Sequence, residues 1–125
     1  MGNPVVHFEI IGTDPQRLRG FYGKLFDWQF DVAGDAAEAV SAPGNYGFVH
    51  PDGGGIPGGV GGGAEYPRRT LFYVSVGDVE VALQQAEHLG GTRVSGPHPN
   101  PDGTLVVGFF TDPEGHLVGL AAAAV

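Results

Sequence analysis

Val5-Val6-His7-Phe8-Glu9-Ile10-Ile11-Gly12-Thr13-Asp14-Pro15 is the stretch that decides how this chain folds. Residues 5–11 are rich in β-branched and aromatic types and read as a strand. Val6, Phe8 and Ile10 share one face; His7, Glu9 and Ile11 share the other. Gly12-Thr13 turns the chain, Asp14 is a good helix N-cap, and Pro15 suits the first helical position. Leu18, Phe21, Tyr22, Leu25 and Phe26 then recur with the helical period and give one apolar face. Asp27 ends that helix. A strand therefore runs through a tight turn directly into an amphipathic helix.

The same device returns further along. Leu71 to Val76 alternates as a strand, with Phe72, Val74 and Val76 expected to pack under a helix and Leu71, Tyr73 and Ser75 on the opposite face. Asp78 caps the helix, which carries Val79, Ala82, Leu83, Ala86 and Leu89 and stops at Gly90-Gly91. Asp78 follows Asp14 by 64 positions, about half the chain, so the repeat is one of structural pattern. Behind the first helix, a strand is expected over 28–32 and two short strands within 36–50, around the turn at Pro43-Gly44-Asn45. Tyr46, Phe48 and His50 would share a face. Residues 52–63 hold eight glycines in twelve. They read as a connector between the halves, with a flap or a short edge strand as alternatives. Behind the second helix, the expected elements are a strand over 92–95, a loop over 96–103 containing His98, and strands over 105–111 and 117–121. A tight turn at Asp112-Pro113-Glu114-Gly115 joins the last two. The element order is β-α-β-β-(β), twice. It implies one α+β domain of two βαβββ modules, about 4–63 and 68–125. Their strands would form a curved mixed sheet, helices outside and a cavity inside.

Composition narrows the chemistry. The chain has 125 residues, enough for a real core. Its formal net charge is −8, and its five arginines and one lysine make no stripe, so nucleic acid and anionic membrane are poor partners. There is no cysteine, which removes disulfides, thiolate metal sites and cysteine nucleophiles. The opening residues lack the pattern of a signal peptide, and no apolar run approaches the ~18 residues of a membrane helix. A cytoplasmic protein is expected. The glycine tract lacks the Gly-Lys-Ser/Thr ending of a phosphate loop, and no dinucleotide fingerprint or Ser-His-Asp set is present.

These landmarks together resemble the vicinal-oxygen-chelate superfamily, in particular its single-domain glyoxalase-like branch. The resemblance rests on His7-Phe8-Glu9-Ile10 with Asp14, Phe21-Tyr22 and Phe26-Asp27-Trp28. Gly58-Gly59, Tyr73-Val74-Ser75-Val76, Gly90-Gly91 and Asp112-Pro113-Glu114-Gly115-His116 complete it. It covers essentially the whole chain. It implies paired βαβββ modules, frequent homodimers, and members as different as glyoxalase I, extradiol dioxygenases, fosfomycin-modifying transferases and bleomycin-binding proteins. It also implies a metal held by His, Glu or Gln. Of the positions concerned, His7 is retained, the second falls on Leu71 and the acidic one on Gly119. The remaining position has Phe48 and His50 as nearest candidates. A divalent ion needs about three protein donors, so no complete metal site and no cofactor are expected, although Glu9 and His50 offer a rescue route.

Two readings of function follow. In one, a metal-free cavity with His7, Glu9, Phe48, His50, Leu71, Tyr73 and Ser75 binds a small, partly apolar ligand. In the other, the chain is an enzyme of the lyase, isomerase or dioxygenase class. His7 and Glu9 are then catalytic, with or without a divalent metal. Two ionisable side chains on one strand face, about 7 Å apart, motivate both.

Overall fold

The computed structural model describes residues 2–123. It is a mixed α+β fold of eight strands and two helices, and the chain divides into two compact units. One unit comprises residues 7–70. The other comprises residues 71–123 with residues 2–6.

β1 (Val5–Gly12), which enters the first unit at His7, leads into α1 (Pro15–Phe26), and β2 (Phe30–Asp31), β3 (Gly47–Val49) and β4 (Gly58–Gly62) follow. The lateral order is β2-β3-β4-β1. β4 runs parallel to β1 and antiparallel to β3, and β3 is antiparallel to β2. β5 (Arg69–Ser75), whose first two residues still belong to the first unit, leads into α2 (Val79–His88) of the second, followed by β6 (Thr92–Pro99), β7 (Leu105–Thr111) and β8 (Leu117–Ala123). The order is β5-β8-β7-β6, with β8 parallel to β5 and the other pairs antiparallel. Each unit thus shows the βαβββ order expected from the repeated strand–cap–helix device, down to the same lateral sequence.

The caps form as the sequence implies. The Asp14 carboxylate accepts the Arg17 amide at 3.2 Å, and Asp78 accepts the Val81 amide at 2.9 Å. Asp27 closes α1 in the left-handed conformation, at φ 58°. Gly90 has φ 104°, and the amides of Gly90 and Gly91 reach back to the Glu87 and Ala86 carbonyls. The Asp78 cap is exposed to a simple test. Asp78→Ala should lower stability by about 1 kcal/mol, read as a fall in the urea midpoint at unchanged slope.

Several elements differ from the sequence expectation. The glycine tract does not serve wholly as a connector, flap or edge strand. Its second half is β4, an interior strand with β3 on one side and β1 on the other, and all five residues are buried. Large neighbouring side chains explain this. A Cβ on Gly58 would lie 2.2 Å from the Phe8 ring, and one on Gly59 would lie 2.1 Å from the Tyr46 ring. The glycines are the floor on which these rings lie. Residues 36–50 supply one strand rather than two, because residues 37–41 close a turn in which the Val40 and Ser41 amides bond the Ala37 carbonyl. The strand expected over 28–32 shrinks to two residues. β6 runs on to Pro99, so His98 belongs to a strand that bulges between Arg93 and His98, not to a loop.

The faces also need correction. Val74 and Val76 pack against the α2 core of Val79, Leu83, Leu120 and Ala122, as alternation requires, but Phe72 is 43 % exposed and does not join it. Phe21, Leu25 and Phe26 of α1 are each more than half exposed. Gly108 lets α2 come close: a Cβ there would meet Val79 at 2.6 Å and Leu83 at 3.0 Å.

Candidate functional site

β1 places Glu9 on the face opposite α1, and alternation puts His7 beside it. Glu9 is 2 % exposed. A buried carboxyl needs hydrogen-bonding partners, or its desolvation costs several kcal/mol. Here Tyr46, itself 1 % exposed, donates its hydroxyl to Glu9 Oε1 at 2.9 Å. The Tyr46 hydroxyl oxygen also lies 2.8 Å from His7 Nε2. With the hydroxyl proton directed to Glu9, the imidazole donates Nε2–H to Tyr46 and carries its lone pair on Nδ1. His7, Tyr46 and Glu9 therefore form one continuous hydrogen-bonded chain.

The route Tyr46 takes depends on β4. Glu9 pairs with Gly59, and Gly59 pairs with Phe48. Tyr46 starts on the β3 side and must cross β4 to reach β1. It does so by lying flat over two glycines: a Cβ on Gly59 would be 2.1 Å from its ring and one on Gly61 would be 2.6 Å away. The residues leading into Tyr46 are tied to the end of the same strand. Ser41 Oγ accepts the Gly62 amide at 2.9 Å, and Asn45 Nδ2 donates to the Gly62 carbonyl at 3.2 Å. Arg19 donates to the Asn45 carbonyl from α1. Phe48 packs on this cluster, its ring 4.7 Å from that of Tyr46 and 6.3 Å from that of His7, centre to centre.

Burial holds the His7 imidazole well below its ordinary value, down to about 4, and the nearby His50 pushes it the same way. His7 is thus neutral at pH 7, a hydrogen-bonding group rather than a cation.

His7, Glu9 and Phe48 are brought together as the sequence implies. His50 lies just past β3, exposed, lining a cleft with Asp27, Trp28 and Asp52. Leu71, Tyr73 and Ser75 sit on β5. Leu71 and Tyr73 are buried, and the Ser75 amide and carbonyl are bonded by Pro4 and Asn3. Sequence reasoning placed Tyr46 on a face with Phe48 but assigned it no role. The signal for one was the alternating Gly59 and Gly61, which mark where an aromatic ring crosses a strand.

The metal that the fold family implies can be tested against these residues. Among the described residues, no three His, Asp or Glu side chains gather where an ion could sit. His7 and Glu9 meet through a tyrosine hydroxyl instead of converging on one point. Gly119, where an acidic ligand is implied, pairs with Tyr73 and lies beneath its ring, 2.5 Å from where a Cβ would stand. Both candidate donors on β1, His7 and Glu9, are engaged with the Tyr46 hydroxyl.

Comparison with known proteins agrees with the fold. A Streptomyces coelicolor methylmalonyl-CoA epimerase variant in complex with 2-nitronate-propionyl-CoA has TM-score 0.68 at 15 % identity, covering 98 % of this chain and 99 % of that one. The Mycobacterium tuberculosis methylmalonyl-CoA epimerase has TM-score 0.69 at 12 % identity, over 97 % and 88 %. A glyoxalase/bleomycin resistance protein/dioxygenase superfamily member from Vibrio splendidus 12B01 has TM-score 0.56 at 17 % identity, over 97 % and 99 %. No curated protein matches at a significant level. The sequence model described as a glyoxalase-like domain matches residues 7–121, nearly the whole chain, so this protein belongs to the glyoxalase-like domain family.

Proposed function

We propose that this protein binds a small, partly apolar organic molecule beside His7, without a resident metal. The observation that carries this reading is the His7–Tyr46–Glu9 chain. It holds a neutral imidazole in one orientation, with Phe48 as an apolar neighbour. The ligand would sit against the imidazole edge, and its apolar part would rest on the Phe48 ring. Such a mixture of a few placed polar groups on an apolar ground is usual for small-molecule sites. The test is a thermal-shift screen of aromatic and short acyl compounds in the presence of EDTA. Compounds that raise the melting temperature in EDTA, and fail to do so with His7→Leu, are the expected result. Stabilisation that appears only after adding divalent ions would sink the reading.

A second reading is supported by the continuity of the chain itself. Two ionisable groups joined through a hydroxyl can pass a proton, and two structural neighbours are methylmalonyl-CoA epimerases. In that reading His7 and Glu9 catalyse proton transfer at a carbon next to a carbonyl. Incubating the protein with methylmalonyl-CoA in D2O and following deuterium uptake by mass spectrometry tests one such substrate. Uptake abolished by Glu9→Gln would favour the enzyme over the binding protein.

The proposal includes a cytoplasmic homodimer. Among the described residues no helix is long and apolar enough to cross a membrane. Light scattering that returned only the 12.9 kDa chain would remove the dimer.

A further inference from the structure

The geometry points to a second ligand site, a cleft at the end of β1 that takes an amphipathic organic monoanion. The cleft has a volume of about 620 Å³ and is formed by the end of β1, the start of α1 and residues 68–70. That size suits a small organic molecule. Ile10 and Ile11 both line the cleft, and Glu9 and Tyr46 do not.

Charge selects the head of the ligand. The chain has six basic residues against fourteen acidic ones, yet Arg17, Arg68 and Arg69 all line this one cleft. Arg17 and Arg68 are exposed, and among the described residues neither side chain is paired with a carboxylate. The one acid in the lining, Asp14, is engaged with the Arg17 amide as the cap of α1. In a protein whose overall charge repels anions, this is a local positive field. Guanidinium groups offer paired N–H donors that match the two oxygens of a carboxylate.

The walls select the tail. Ile10, Leu18, Phe21 and Tyr22 give the cleft an apolar lining, and Phe21 is 58 % exposed, which leaves its ring available. An inorganic anion would leave that surface wet. A neutral amphiphile would leave the charges of Arg17 and Arg68 unanswered. A free medium-chain or aryl carboxylate satisfies both.

The test is an amide NMR titration with decanoate below its micelle concentration, beside decanol and inorganic phosphate. Saturable one-to-one binding of decanoate is expected, at least tenfold tighter than decanol or phosphate, with shifts centred on Ile10, Thr13, Arg17, Phe21 and Thr70. The double variant R17E/R68E, its fold checked from the same spectra, should lose at least tenfold in affinity. Equal binding of decanol, indifference to R17E/R68E, shifts centred on His7 and Phe48, or binding only to anionic vesicles would each overturn the site. So would the same shifts produced by raising protein concentration alone, which would give the cleft to a second copy of the chain.

Discussion

Gly59→Ala is expected to destabilise the protein by about 3 kcal/mol or more, while Gly20→Ala should stabilise it by up to about 1 kcal/mol. The two changes add the same methyl group in opposite surroundings. Gly20 is an exposed residue of α1 with nothing within 4 Å of a new Cβ, so alanine only removes backbone freedom from the unfolded chain. At Gly59 the new Cβ would sit 2.1 Å from two ring carbons and the hydroxyl oxygen of Tyr46, a residue that is 1 % exposed. The ring cannot lift without breaking the hydroxyl's bonds to Glu9 and His7, which would take a hydrogen bond from a buried carboxyl. Chemical denaturation of both variants reads the signs directly. A double-mutant cycle isolates the cause: in a Tyr46→Ala background, Gly59→Ala should cost much less than alone. Full cost in that background would show that Tyr46 is not what the glycine accommodates.

This dependence also explains what the sequence did and did not disclose. The strand–cap–helix device at Val5–Pro15 and again at Leu71–Val79 was legible because alternation, capping and helical period are local and agree with one another. It carried the fold and put His7 and Glu9 on one face. β4 was opaque because a glycine has no side chain to show a period. Gly58–Gly62 is strand only through what lies on it, Phe8 on one face and Tyr46 on the other, and those partners come from β1 and the residue before β3. Tyr46 was missed as a site residue for the same reason. Its role is set by an oxygen 37 positions away in the chain. The apolar face of α1 was legible as a period but not as burial, since periodicity marks a face and not what covers it.

Lowering the pH from 7 to 4 should remove about 2–3 kcal/mol of stability through His7 alone. In the unfolded chain this imidazole titrates at its ordinary 6.5; in the fold, burial brings it down to about 4. Between those values the unfolded chain holds a proton that the native state does not. The unfolded state therefore binds more protons, and stability falls as pH falls. The stabilisation is fully present above pH 6.5 and is lost progressively down to about pH 4, below which His7 adds no further slope. Glu80, which Arg93 holds down to about 2, acts in a different window, because its contribution is lost only below the ordinary carboxylate range. The two can therefore be separated. Stability of the wild type and of His7→Leu should be measured by urea unfolding at several pH values, and their difference plotted. A flat difference above pH 7 that declines by about 2–3 kcal/mol towards pH 4 is expected. The imidazole Cε1–H resonance of His7 should titrate with a midpoint near 4. A midpoint near 6.5, or a difference that does not change with pH, would mean that the ring is solvated and that the Tyr46 bond does not hold it inside.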